Sequence, residues 1–168
     1  MIETEAREAA TRILDFCRER KLTLATAESC TGGLIAATLT DIPGSSDVFD
    51  RGLVTYSNEA KHKLLGVPEE MLKQYGAVSA QVAKAMAEGV LRAAGASAGI
   101  SVTGIAGPGG GSAEKPVGLV FVGGALATGE SHVRECRFGD LGRSEVRERS
   151  VVAALALFEE LLRKPIKP

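Results

Sequence analysis

The chain predicts an α/β fold, a three-layer α/β/α sandwich around a mixed, mostly parallel sheet of about five strands, one of them antiparallel. Three observations carry this. Short apolar runs alternate with longer stretches of helical periodicity. Strands separated by helices pair parallel, with right-handed crossovers. Near the end, two strand-like runs flank a four-residue turn, Ala127-Thr128-Gly129-Glu130, and so short a connection forces antiparallel pairing.

The elements follow in order. Glu3 to Arg20 carries Ala9, Ile13, Leu14, Phe16 and Cys17 near helical spacing. Leu22 to Ala27 reads as a buried strand. Thr31 is placed to cap a helix through Leu34, Ile35, Ala37, Thr38 and Leu39, which Asp41-Ile42-Pro43-Gly44-Ser45 ends. Phe49 to Tyr56 is a second strand. Glu59 to Leu65 is a short helix, and Glu69 to Gln74 adds a turn or two. Ser79 caps a long alanine-rich helix to about Ala94. Ala98 to Ile105 is the third strand. Val117 to Leu126 and Ser131 to Phe138 form the hairpin, and Arg143 to Arg163 is a last helix with Val146, Val151, Leu155 and Phe158 along one face.

Composition bounds the rest. A chain of 168 residues with 45% apolar and 24% charged content fits one globular domain, expected over residues 1–163, with 164–168 as a loose tail. The formal charge of −1 leaves no basic footprint for nucleic acid or an anionic membrane. No window reaches the roughly 18 apolar residues of a span, and the acidic N-terminus is unlike a signal peptide. Three cysteines at unrelated spacings read as reduced thiols in a cytoplasmic protein. The alanine face at Ala83, Ala87 and Ala94 can pack within the domain or against a second copy in a homo-oligomer.

Ligands of open α/β sheets bind beyond the carboxyl ends of the strands, and three of those exits are unusual here. The first is Glu28-Ser29-Cys30-Thr31-Gly32-Gly33. The second is Tyr56-Ser57-Asn58-Glu59-Ala60-Lys61. The third is the glycine loop from Gly104 to Gly111. A serine hydroxyl needs a base, a lysine becomes one when burial or nearby positive charge lowers its pKa, and a tyrosine can orient the pair or relay the proton. Ser29, Lys61 and Tyr56 thus suggest covalent acyl transfer without a metal. Glu28 either orients the lysine or a substrate amide, or complements the helix N-terminus. The glycine loop lacks both the P-loop and the dinucleotide pattern. Cys30 is a rival nucleophile at a helix start or a small buried filler. With His62 and His132 as the only histidines, a metal site or a Ser-His-Asp triad has little to draw on. Arg143 and Arg147, one turn apart, are a solvated face or a phosphate clamp.

Four separated motifs carry a resemblance. Thr26 to Gly33, Val54 to Lys61, Gly76 to Ser79, and Thr103 to Pro108 followed by Lys115 to Gly118 together resemble the CinA C-terminal domain family, in the same order and over nearly the whole chain. Stand-alone members of that family are nicotinamide-nucleotide amidases. The resemblance implies hydrolysis of nicotinamide mononucleotide to nicotinate mononucleotide and ammonia in pyridine nucleotide salvage, with no cofactor or metal. It implies Ser29 as nucleophile, with Tyr56 and Lys61 as its activating partners. It places Glu28, Thr31, Gly32, Gly33, Ser57, Asn58, Thr103, Gly104 and Gly107 around the substrate, and leaves Arg143 or Arg147 for its phosphate. The alternative is a non-catalytic nucleotide-binding regulatory module linked to competence and DNA damage.

Overall fold

A computed structural model describes residues 2–163; the tail expected at 164–168 lies outside the described residues. Helix α1 (Ile2–Glu19) opens with Glu3 and Glu5, which complement the positive end of its dipole, and buries Ala9, Ala10, Ile13, Leu14 and Cys17 along one face. Lys21, at φ 56°, turns the chain, and the Leu22 N–H closes back on the Cys17 carbonyl. That closure delays strand β1 to Leu24–Glu28, two residues past the expected start.

All five residues of β1 are buried, as a central strand requires. Helix α2 (Leu34–Thr40) and a short 3-10 turn (Ser45–Asp47) lead to β2 (Phe49–Val54). Helices α3 (Asn58–Leu65), α4 (Glu69–Tyr75) and α5 (Ala80–Ala94) precede β3 (Ala98–Gly104). The hairpin β4 (Leu119–Leu126) and β5 (Ser131–Arg137) and helix α6 (Arg143–Leu162) complete the order. Strand β4 begins later than the expected Val117 because Gly118, at φ 90°, packs its Cα against the Gly139 backbone.

The sheet runs β2-β1-β3-β4-β5. Strands β2, β1 and β3 are parallel; β4 is antiparallel to both its neighbours, so the sheet is mixed with one reversed strand. The layers follow from side-chain alternation. Leu24, Ile100, Val102, Val120 and Val122 face α1, α2 and α6 in one core, while Ala25 and Ala27 face α3, α4 and α5 in the other. Because β5 points the same way as β1, its exit delivers the start of α6 to the edge where β1, β2 and β3 end.

Candidate functional site

The site is built where β1 ends. Glu28 is 1% exposed, and a buried carboxylate is tolerable only when its oxygens are hydrogen-bonded. Three donors reach it: the Thr31 hydroxyl at 2.6 Å and the N–H groups of Ile35 and Ala36 at 2.8 and 3.1 Å. The two amides belong to the first turn of α2. Glu28 therefore caps α2 from seven residues upstream. This replaces the expected cap by Thr31, whose hydroxyl donates to Glu28 instead. Gly32 and Gly33, at φ 57° and 105°, give the backbone the left-handed turn that brings α2 back over the carboxylate.

The Ser29 N–H extends the β1–β3 ladder by one bond, donating to the Val102 carbonyl at 3.0 Å. Its side chain then stands just above the last rung, 8% exposed. Beyond it, the N–H groups of Thr31 and Gly33 have no protein acceptor among the described residues, while that of Cys30 lies against its own thiol.

At the neighbouring exit, Thr55 donates its N–H to the Glu28 carbonyl at 2.8 Å, and the Ser57 hydroxyl caps α3 by accepting from the Ala60 N–H at 3.0 Å. Asn58 is the first residue of α3 and is exposed. Lys61 lies one turn into that helix and points back at the sheet, only 1% exposed. Its Nζ donates to the Thr55 carbonyl at 2.8 Å and the Tyr56 carbonyl at 3.3 Å, and lies 2.9 Å from the Ser29 Oγ. Among the described residues it has no carboxylate partner. Burial alone therefore lowers its pKa from 10.5 to about 8.

The two carbonyls can only accept, so they fix the two N–H bonds of a neutral amine. The remaining lone pair is left for the Ser29 O–H. Once protonated, the same nitrogen donates to all three oxygens, so the geometry holds the lysine in either state.

The Tyr56 side chain is elsewhere. It is 60% exposed, and its hydroxyl accepts from Arg143 at 2.9 Å rather than engaging Ser29 or Lys61. What Tyr56 gives the lysine is its backbone carbonyl. The expected proton relay through Tyr56 would need its hydroxyl to leave Arg143 for the Ser29–Lys61 pair. A backbone contact carries no residue-type signal, which is also why Thr55 escaped sequence reasoning. The Thr55 hydroxyl is buried without a partner among the described residues.

The third exit is set by packing. The Thr103 hydroxyl donates to the Ala77 carbonyl at 2.9 Å. A Cβ on Gly104 would come within 2.6 Å of Val120, and one on Gly107, at φ 83°, within 2.5 Å of Val117. Both glycines are thus required by close approach within the chain. Arg143 reaches this loop too, donating to the Gly107 carbonyl at 2.8 Å. Arg147 donates to the carbonyls of Cys30 and Thr31 at 3.1 and 3.2 Å. The first turns of α6 therefore tie all three exits together.

Cys30 is 5% exposed, and burial pushes its thiol up to about 11. It is a neutral thiol at physiological pH, which removes the main support for a thiolate nucleophile. His62 is held through Nδ1 by the Val67 carbonyl at 2.8 Å, away from the dyad. Among the described residues no group of three or more His, Cys, Asp or Glu could hold a metal, and no helix is long and apolar enough to cross a membrane.

Comparisons with known proteins agree with this architecture. The family model of the CinA C-terminal domain matches residues 6–162. A protein named nicotinamide-nucleotide amidohydrolase PncC from Enterobacter agglomerans is 61% identical over 130 residues, covering 77% of this chain and 78% of that one. A Caldicellulosiruptor bescii protein named for competence-damage induction is 53% identical over 155 residues; these cover 92% of this chain but 36% of that protein, so the chain spans little more than a third of its length. The crystal structure of competence/damage inducible protein CihA from Agrobacterium tumefaciens superposes with a TM-score of 0.92 at 50% identity, covering 95% of this chain and 96% of that one. With its motifs, its fold and a family match over nearly all of its length, the chain belongs to the CinA C-terminal domain family.

Proposed function

We propose that the protein is a serine amidohydrolase that converts nicotinamide mononucleotide to nicotinate mononucleotide and ammonia, in the salvage of pyridine nucleotides in the cytoplasm, with residues 1–163 as the amidase domain. The observation that carries this reading is the buried Lys61 amine, 2.9 Å from the Ser29 hydroxyl and with its pKa lowered to about 8. The name of the Enterobacter agglomerans relative supplies the substrate class.

The steps balance on the dyad. Neutral Lys61 takes the Ser29 proton as Oγ attacks the carboxamide carbon, giving a tetrahedral oxyanion and an ammonium on Lys61. The unpaired N–H groups of Thr31 and Gly33 are the donors offered to that oxyanion; one such donor is typically worth about two to three orders of magnitude in rate. Lys61 returns its proton to the departing nitrogen, which leaves as ammonia, and the acyl-enzyme remains. Water then attacks the ester carbonyl. Lys61 takes its proton and passes it to Ser29 Oγ as the acid product departs. The scheme uses no metal or cofactor. Glu28 holds the α2 turn around the donors, and Arg143 and Arg147 are the cations available to the 5′-phosphate.

The test is ammonia release from nicotinamide mononucleotide by the wild type and by Ser29→Ala. The variant is expected to fall by at least roughly three orders of magnitude, since removing a covalent nucleophile disables the whole unit. Wild-type-like turnover by folded Ser29→Ala would end the acyl-enzyme scheme. Tight nucleotide binding by the wild type with no ammonia would favour a regulatory binding module.

A further inference from the structure

Helix α6 begins with an unusual charge arrangement. Nine of the twelve arginines in the chain pair with a carboxylate; among the described residues Arg92, Arg143 and Arg147 do not. Arg92 sits in the last turn of α5, where a cation suits the negative end of the dipole. Arg143 and Arg147 occupy the first two turns of a 20-residue helix, at its positive end. The one carboxylate in that first turn, Glu145, is taken by Arg149 at 2.9 Å. Two uncompensated guanidiniums thus add to a field that is already positive.

The topology shows what Arg143 spans. In the order β2-β1-β3, the β1 exit carrying Ser29 lies between the other two. Arg143 donates from one nitrogen to the Tyr56 hydroxyl beyond β2, and from another to the Gly107 carbonyl beyond β3. The Tyr56–Arg143–Gly107 chain therefore bridges the Ser29 exit from side to side. The two anchors differ. Gly107 packs closely against Val117, whereas Tyr56 is 60% exposed and its hydroxyl is held by Arg143. A phosphate is a stronger partner for a guanidinium than a phenol hydroxyl, because it brings the opposite charge and can be met by two parallel N–H bonds.

Resting on the amidase reading, we propose that the Arg143–Tyr56 contact is an anion-operated strap. A phosphate on the substrate exchanges for the Tyr56 hydroxyl on Arg143, and the release of Tyr56 opens the Ser29 exit to the carboxamide carried by the same molecule. Arg143 is then a specificity-determining residue: its substrates are amides bearing an anionic group, and the anion acts on turnover as well as on affinity.

The experiment separates the anion from the amide. The substrate is nicotinamide riboside, which lacks the phosphate, and the probe is inorganic phosphate. Phosphate is expected to raise kcat/KM for the riboside, by roughly 10- to 100-fold on the scale of a charged hydrogen bond, while competing with nicotinamide mononucleotide. Phosphate that leaves riboside turnover unchanged, or lowers it, overturns the strap. Arg143→Met and Tyr56→Phe should each abolish the activation; its survival in either also overturns the strap. A second readout does not depend on catalysis. The chain has no tryptophan and two tyrosines, so in a Tyr75→Phe background the emission reports Tyr56. Phosphate should change that emission with Ser29 intact or replaced by Ala, and a flat titration rules the exchange out. Loss of ammonia release with the emission change retained points instead at the amidase reading.

Discussion

The molecule treats two lysines two residues apart on α3 in opposite ways. Lys63 lies in solvent and pairs with Glu59 one turn back at 2.6 Å, its side chain 68% exposed. Such a pair adds at most about 0.5 kcal/mol and leaves the lysine an ordinary surface cation. Lys61 faces the sheet, has no carboxylate partner among the described residues, and is met by a hydroxyl and two carbonyls. The comparison teaches that the lowered pKa of Lys61 comes from burial without a counter-ion. A carboxylate beside Lys61 would satisfy it and raise its pKa; carbonyls satisfy its hydrogen bonds and leave the burial penalty in place.

The sharpest way to break the contrast is Lys61→Met. Ammonia release is expected to fall about 1,000-fold, within the range of positioned general bases, whereas Lys63→Met should leave it within about two-fold. Wild-type kcat/KM should rise with pH through about 8 as Lys61 loses its proton. A pH profile flat from 6 to 9 would remove Lys61 as the base.

The same shift has a signature in stability. Folding lowers the Lys61 pKa from 10.5 to about 8, so between those values the unfolded chain binds more protons. Stability therefore rises with pH across that window. Below it the folded state carries the full penalty, about 3 kcal/mol for that shift, and above it none. Denaturant titrations at pH 7 and pH 10 should show this rise in the wild type and lose its Lys61 component in Lys61→Met. Equal pH dependence in both would mean that folding does not lower the Lys61 pKa.

Glu28 sharpens the comparison from the acid side, because it is a buried charge with every oxygen satisfied. Glu28→Ala strips the cap from α2 and leaves the amides of Ile35 and Ala36 unpaired; about 2 to 3 kcal/mol of stability should go. Thermal unfolding checks this. A smaller effect belongs to Gly107→Ala, where a Cβ meets Val117 and the positive φ disfavours it, costing on the order of 1 to 2 kcal/mol. Smallest is Cys30→Ala. Its thiol is buried and neutral, so ammonia release should stay within about three-fold; a large loss would revive the cysteine-dependent rival.

Much of this was legible in the sequence, and what was not has physical reasons. Periodicity and turn residues placed the helices and strands, and the short turn after Leu126 correctly implied the reversed strand. The Ser29 and Lys61 motifs marked two strand exits that the sheet order makes adjacent. The start of α2 was misplaced because Glu28, outside the helix, does the work that a local Thr31 cap was expected to do. The lowering of the Lys61 pKa was invisible because it depends on which face of α3 meets the sheet, and α3 is too short for its pattern to decide that. The Tyr56 hydroxyl was read toward the dyad from sequence proximity, whereas its partner, Arg143, is 87 residues away.

That distance has a consequence for synthesis. Ser29 and Lys61 are 32 residues apart, within one strand-helix-strand-helix run from β1 to α3. The clamp on all three loops comes from α6, which is made after all five strands of the sheet. Until α6 is made, Leu14, Ile35 and Val102 wait for Leu155 and Phe158 to cover them. Synthesis of α6 is thus the step at which the hydroxyl and amine first acquire a finished enclosure.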